Sequence, residues 1–285
     1  MEAEYSPERL YDPIAGLTTL ISRWRSSLGG LRDREEPSME DATIAFESLF
    51  TRIPKIPLYN NVLLLAKKLS QREGSVLDVI DRVGKAVEAY MSGSLSQISG
   101  ICGESLGGDA IIVSTDTLSL ACAREAARRG SRVYLAWHDL MGPLGGGEDF
   151  KPVYFYSSFL YHAIKSLKAS LVIPLFSVTK TDALAPPQSL EAAILAGDMG
   201  RGVIMVAPRL SVDPLFGPLS SLPIPKVVVE REIGYSFDFP VFDVIAVGPE
   251  TTILAETGPL EVSLEALLDA QRNVINELSS LTQAQ

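Results

Sequence analysis

Residues 108–136, GDAIIVSTDTLSLACAREAARRGSRVYLA, spell a strand, a polar turn, an amphipathic helix and a second strand. Ala110-Ile111-Ile112-Val113 is a continuous apolar run with no polar alternation, which suits a strand covered on both faces. Leu118, Ala121, Cys122 and Ala126 recur at helical spacing. Gly130 closes the helix, and Arg128 and Arg129 stand in its last turn, where the helix dipole favours cations. A strand–helix–strand unit of this kind implies a parallel sheet, and open parallel sheets take ligands beyond the carboxyl ends of their strands. The turn Ser114-Thr115-Asp116-Thr117 falls at that end. Thr115 or Asp116 can cap the helix by accepting from its first free amides, and the same turn is the first candidate ligand site. It carries no strong nucleophile.

The same alternation continues to the end of the chain. Strands are expected at 110–114, 132–137, 152–156, 170–175, 202–207, 226–230 and 242–247, and helices at 116–129, 157–168, 188–199 and 263–281. Before residue 100 the pattern is helical. Ile14, Leu17, Ile21, Trp24 and Leu28 form one stripe. Ile44, Ala45, Leu49 and Phe50 mark a second helix opening at Ser38 or Asp41, and residues 58–69 a third. Leu77, Ile80, Val83, Val87 and Met91 mark a long helix over 76–95. The reading is an α/β fold: a helical N-terminal domain over 1–100 and a Rossmann-like parallel-sheet domain over 101–285.

Of the 285 residues, 25 are Lys or Arg and 35 are Asp or Glu, a net charge of −10, which argues against a nucleic-acid or anionic-membrane surface. Cys102 and Cys122 and the two histidines, His138 and His162, show no metal-ligand spacing, so no metal and no cofactor are expected. The polar, acidic start of the chain and the lack of a long apolar run place it in the cytoplasm, with reduced thiols. The glycine-rich segment 141–148 is not followed by a helix and reads as a loop, not as a dinucleotide fingerprint.

Five segments in order carry a family resemblance. Thr51 to Asn60 (TRIPKIPLYN) looks like an Ala-Arg-Pro-Thr segment with a following Leu-Tyr-Asn. Ile111 to Ala121 looks like a strand, Thr-His-Cys, helix unit, and VYFYSSFLYHAI (153–164) like a strand ending in Asp-Ser-Ala. Gly200 to Pro208, with Asp213-Pro214 after it, is similar to Gly-Val-Pro-Val-Tyr-Val-Ala-Ala-Pro and Phe-Asp-Pro. Phe242-Asp243-Val244 with Thr251, Ile253, Glu256 and Gly258 is similar to Phe-Asp-Val-Thr-Pro-Pro-Glu…Ile-Thr-Glu-x-Gly. Over about residues 38–265 the chain thus resembles the regulatory (alpha, beta, delta) subunits of translation initiation factor 2B and their relatives, ribose-1,5-bisphosphate isomerase and methylthioribose-1-phosphate isomerase. The resemblance implies the NagB/RpiA/CoA-transferase-like form of the fold.

The departures bear on activity. Thr115 falls where the isomerases of that family have a cysteine, and a hydroxyl is a far weaker acid than a thiol. No carboxylate lies between Leu171 and Thr181, where their Gly-Ala-Asp turn falls, and Ala185 to Ser189 lacks the lysine of Asn-Lys-x-Gly-Thr. Trp137-His138-Asp139-Leu140 lacks the arginine of Glu-x-Arg-Pro. The reading is therefore a non-catalytic, subunit-like protein that assembles as a homodimer, or as a hetero-oligomer with related subunits. Its ligand is a nucleotide or sugar phosphate held by Arg52, Thr115, Asp116 and Asp243. The alternative is an aldose–ketose phosphate isomerase with replaced catalytic groups, Asp116 and His138 forming the acid–base pair. The apolar segment Val241 to Leu260 is expected at a sheet edge, where it pairs with another copy or is covered by helix 263–281.

Overall fold

The computed structural model describes residues 12–29, 37–50, 54–71, 74–137, 150–224, 226–230 and 236–282. Arg52, His138 and the loop 141–148 lie outside them.

Four helices form the first layer. The predicted stripe of α1 (Pro13–Gly29) is buried. Its Trp24 donates from Nε1 to the Ala42 carbonyl at 2.7 Å and meets Phe46 edge-on at 4.6 Å. α2 (Met39–Ser48) opens on Ser38: the Ser38 hydroxyl accepts from the Asp41 amide at 3.1 Å and the Asp41 carboxylate accepts from the Ser38 amide at 2.9 Å, a capping box. Of its expected face, Ala45, Leu49 and Phe50 pack against the core. Ala42 and Phe46 point inward, and Ile44 is 64% exposed.

α3 (Pro57–Ser70) begins with proline at its first position, where no amide bond is lost. α4 (Val76–Ser105) runs ten residues past the expected end at Leu95. Within that extension Gly103 serves close packing. A Cβ there would lie 2.8 Å from Cγ of Glu125 on the next helix.

The strands β1 (Ala110–Val113), β2 (Val133–Trp137), β3 (Val153–Tyr156), β4 (Ser170–Pro174), β7 (Val203–Val206), β11 (Thr252–Ala255) and β12 (Gly258–Glu261) build one sheet, in the order β12-β11-β7-β4-β1-β2-β3. All neighbours are parallel except β11–β12. The chain winds outward from β1 in both directions, so the order reverses between β1 and β4, the crevice where doubly wound sheets bind ligands. Helices α5 (Thr117–Arg128), α6 (Leu160–Ser166), α7 (Ser189–Asp198) and α8 (Leu264–Leu281) complete the α/β fold. One core cluster joins the first four helices, α5 and α8 to one side of the sheet, and a second packs α6 and α7 on the other. Because α4 continues to Ser105 and packs along α5, the helical layer and the sheet share the first core.

Two of the expected strands leave the parallel sheet. Residues 226–230 form β8 (Lys226–Glu230), an antiparallel ribbon with β9 (Ser236–Pro240). Residues 243–246 form β10 (Asp243–Ala246), which joins β5 (Ser177–Val178) and β6 (Asp182–Ala185) in a small antiparallel sheet. Segment 182–185, Asp-Ala-Leu-Ala, lacks β-branched residues and gives no strand signal by itself. It becomes a strand by pairing with Val244 and its neighbours.

The expected edge segment does end at the sheet edge, as β12. Pro259 and Glu261 there are the residues that blunt an edge against further pairing. Among the described residues no helix is long and apolar enough to cross a membrane.

Candidate functional site

The strand ends at the crevice are rebuilt by side chains that bond one another. After β1 the backbone enters the left-handed region at Ser114 (φ 112°), a strained conformation for a residue with a side chain. The Ser114 hydroxyl accepts from the Asp116 amide at 3.3 Å. Thr115 is fully buried. Asp116, also fully buried, caps α5: its carboxylate accepts from the Ser119 amide at 2.9 Å and from the Ser119 hydroxyl at 2.7 Å.

A second carboxylate comes from the other end of the chain. Asp12 accepts from the Thr117 amide at 2.7 Å and the Thr117 hydroxyl at 2.5 Å with one oxygen, and from Ala15 in α1 at 3.0 Å with the other. Burial, and then the charge of Asp12, push the Asp116 carboxyl up to about 6. The helix N-terminus that would receive a phosphate thus holds two carboxylates of the chain itself.

Asp243 does the same for α7. It accepts from the Leu190 amide at 3.1 Å, and the amides of Ser189 and Gln188 also bond it. Burial foremost, then the charge of Glu191, raises its pKa against those amides. Gln188 takes a left-handed conformation (φ 68°) to start the helix. The structure therefore brings Thr115 and Asp116 together at α5 and sets Asp243 at the start of α7. Among the described residues no hydrogen bond or ion pair joins Asp243 to Asp116.

A third cluster lies past the ends of β7 and β11, and the sequence reading did not assign it. Glu256 directly follows β11, with its side chain 2% exposed. It accepts from the Tyr90 hydroxyl, from the Arg209 amide at 3.1 Å and from Arg209 Nε at 2.9 Å. Arg209 also holds Glu277 of α8 at 2.8 Å. Burial pushes the Glu256 carboxyl up to about 7, and the charge of Glu277 acts in the same direction. Nearby, Asn60 donates to Asp213 at 2.8 Å, and Asn61 donates to the carbonyls of Leu210 and Val212 at 2.8 Å each.

Glu256, Asp213 and Asn60 stand in the motifs that carried the resemblance, so sequence had marked them. Asp12 bore only the signal of a cap before Pro13.

The cysteines offer no replacement nucleophile. Cys102 and Cys122 are free and buried, and the hydrogen bond to Cys102, together with burial, pushes the Cys122 thiol well above its usual range. Among the described residues no three His, Cys, Asp or Glu side chains cluster as metal ligands would.

No family model matches the chain, and no curated protein matches it in sequence. Solved structures match it in fold. The translation initiation factor eIF-2B of Pyrococcus horikoshii OT3 superposes with a TM-score of 0.64 at 11% identity, over 92% of this chain and 92% of that one. The tetrameric eIF2B-beta2-delta2 complex of C. thermophilum gives a TM-score of 0.61 at 15% identity, over 90% of this chain and 87% of that one. The 5-methylthioribose 1-phosphate isomerase of P. horikoshii OT3 gives 0.55 at 14% identity, over 94% and 88%. The chain thus has the fold that initiation factor 2B subunits share with that isomerase, along nearly its whole length.

Proposed function

We propose that this is a non-catalytic, initiation factor 2B subunit-like protein of the cytoplasm that assembles as an oligomer, with itself or with related chains. The observation that carries the non-catalytic half is the turn after β1. Thr115 is fully buried there, and Asp12 and Asp116 are committed to capping α5. An aldose–ketose isomerase needs an acid–base pair within reach of two sugar carbons, and these carboxylates face helix amides instead. The assembly half is supported by the shared fold of the tetrameric eIF2B-beta2-delta2 complex. A nucleotide or sugar phosphate, held by Arg52, Thr115, Asp116 and Asp243, enters this site by displacing Asp12 from Thr117.

The test is turnover. Purified protein incubated at high concentration with ribose-1,5-bisphosphate or methylthioribose-1-phosphate should yield no product above the protein-free rate, followed by proton NMR. Steady isomerisation that Asp116→Asn abolishes would overturn the proposal and establish the isomerase alternative.

A further inference from the structure

The amino-terminal edge of the seven-stranded sheet carries a charge opposite to that of the chain. Loops entering its strands bring one cation each: Arg132 before β2, Lys151 before β3, Lys168 before β4 and Arg201 before β7. Parallel pairing brings these loops to one edge. Ala110 donates to the Arg132 carbonyl at 3.0 Å, Ser170 to the Asp109 carbonyl at 3.0 Å and Leu171 to the Gly202 carbonyl at 2.8 Å. With the strand order β7-β4-β1-β2-β3 and about 4.8 Å between strands, the four cations form a row about 20 Å long. α6 leaves the far end of β3 and returns to this edge, where its last turn adds Lys165.

Two carboxylates, Asp109 and Asp198, stand near the row, and Asp109 is engaged by the Arg132 amide at 3.1 Å. Glu250 and Glu261 lie off it, beside β11 and β12. Among the described residues no ion pair engages Lys151, Lys165, Lys168 or Arg201. The Nε of Arg201 is buried and has no hydrogen-bond partner. A buried donor left unpaired is destabilising, so an occupant that brings acceptors is favoured.

The loops themselves are low. A Cβ added at Gly107, Gly108, Gly130 or Gly200 would meet nothing within 4 Å, so the backbone there is open to an approaching chain. The acceptors that suit an arginine fork beside lysine point charges are carboxylates or phosphates. Single-stranded nucleic acid also needs aromatic faces on which its bases stack. The aromatic side chains at this edge turn inward: Phe150 is buried and Tyr134 packs against the second core cluster. The chain's net charge of −10 repels a polyanion longer than the row. A short carboxylate-bearing segment meets only the row.

We infer that this edge docks an extended acidic segment of a partner protein, whose carboxylates meet Arg201, Lys168, Arg132 and Lys151 in turn. The inference goes beyond the proposed function and does not depend on it.

Fluorescence anisotropy of a labelled octaglutamate peptide, titrated with the full chain, tests it. The peptide should bind at low salt, and raising the salt from about 50 to about 500 mM should weaken binding at least about tenfold. Lys151→Glu with Lys168→Glu should weaken it at least about tenfold and leave the melting temperature unchanged, since both side chains are exposed. Lys67→Glu with Lys85→Glu makes the same change in net charge on the helical layer and should leave binding within about twofold. No binding at low salt overturns the proposal, as does an equal loss in the two double variants, which would mean that net charge alone is sensed. An octauridylate that binds more tightly than the peptide overturns the choice of partner.

Discussion

Arg209→Ala should lower stability by about 3–5 kcal/mol at pH 8, the usual result of leaving a buried charge without its partner. Glu256 is enclosed by β11, the Tyr90 hydroxyl and the backbone of Arg209, and the guanidinium is the cation that answers it. The same side chain ties the turn after β7 to Glu277 of α8, so the loss reaches three elements.

The effect should depend on pH with a definite sign. The folded Glu256 carboxyl sits at about 7, above the 4.5 ordinary for glutamate. Between those values the folded state binds more protons than the unfolded one. The contribution is therefore fully present below about 4.5 and is lost as pH rises through 7. In the variant a protonated Glu256 needs no cation, so the penalty of Arg209→Ala should shrink at pH 5. Glu256→Gln should flatten the dependence. Urea melts of the three proteins at pH 5, 6.5 and 8 measure all of this. A cost under about 1 kcal/mol at pH 8, or one that grows as the pH falls, would contradict the account.

Asn61→Ala should cost about 3 kcal/mol, from two buried carbonyls left unpaired at about 1–3 kcal/mol each. Asn61 is fully buried on α3. Its amide donates to Leu210 and Val212 beyond β7, and its oxygen accepts from Gln271 of α8 at 2.7 Å. Asn61→Leu should be about as damaging, because a leucine fills the space and leaves the carbonyls bare. Gln271→Ala should cost less, since Gln271 is only partly buried. Guanidinium melts of the three variants give the order. An Asn61→Ala variant as stable as the wild type would mean that the helical layer and the sheet do not depend on this contact.

The parts of the fold visible in sequence were those with one strong local cause. The run from Ala110 to Val113 is apolar on both faces because the sheet covers both, and Asp116 caps α5 because a short acceptor before a helix does so anywhere. What stayed hidden depends on distant partners. Asp182 to Ala185 is a strand only beside β10. Gly103 inside α4 makes sense only beside Glu125 and Arg129, which leave no room for a Cβ. Ile44 looked inward by period, yet Trp24 and Phe46 define the inner face of α2.

The site divides in the same way. Thr115 and Asp116 were legible as a capping turn at the end of β1, whereas Asp243 was marked only by its Phe-Asp-Val resemblance and stands at the start of β10. That Asp12 reaches 105 residues along the chain to Thr117 was not legible, because an aspartate before a proline-led helix signals a cap and nothing more.

Asp12 is also where the account is most exposed to test. If its carboxylate holds the place a ligand phosphate would take, removing that charge should open the place while the α1 cap survives through the asparagine oxygen. Two charges about 4 Å apart near a protein surface repel by several kcal/mol, so an improvement of at least about tenfold in affinity is a modest expectation. The direct measurement is calorimetric titration of wild type and Asp12→Asn with ribose-1,5-bisphosphate and adenosine monophosphate. The account predicts weak binding to the wild type and binding at least about tenfold tighter to Asp12→Asn. Tight binding to the wild type that Asp12→Asn leaves unchanged or weakens would contradict it.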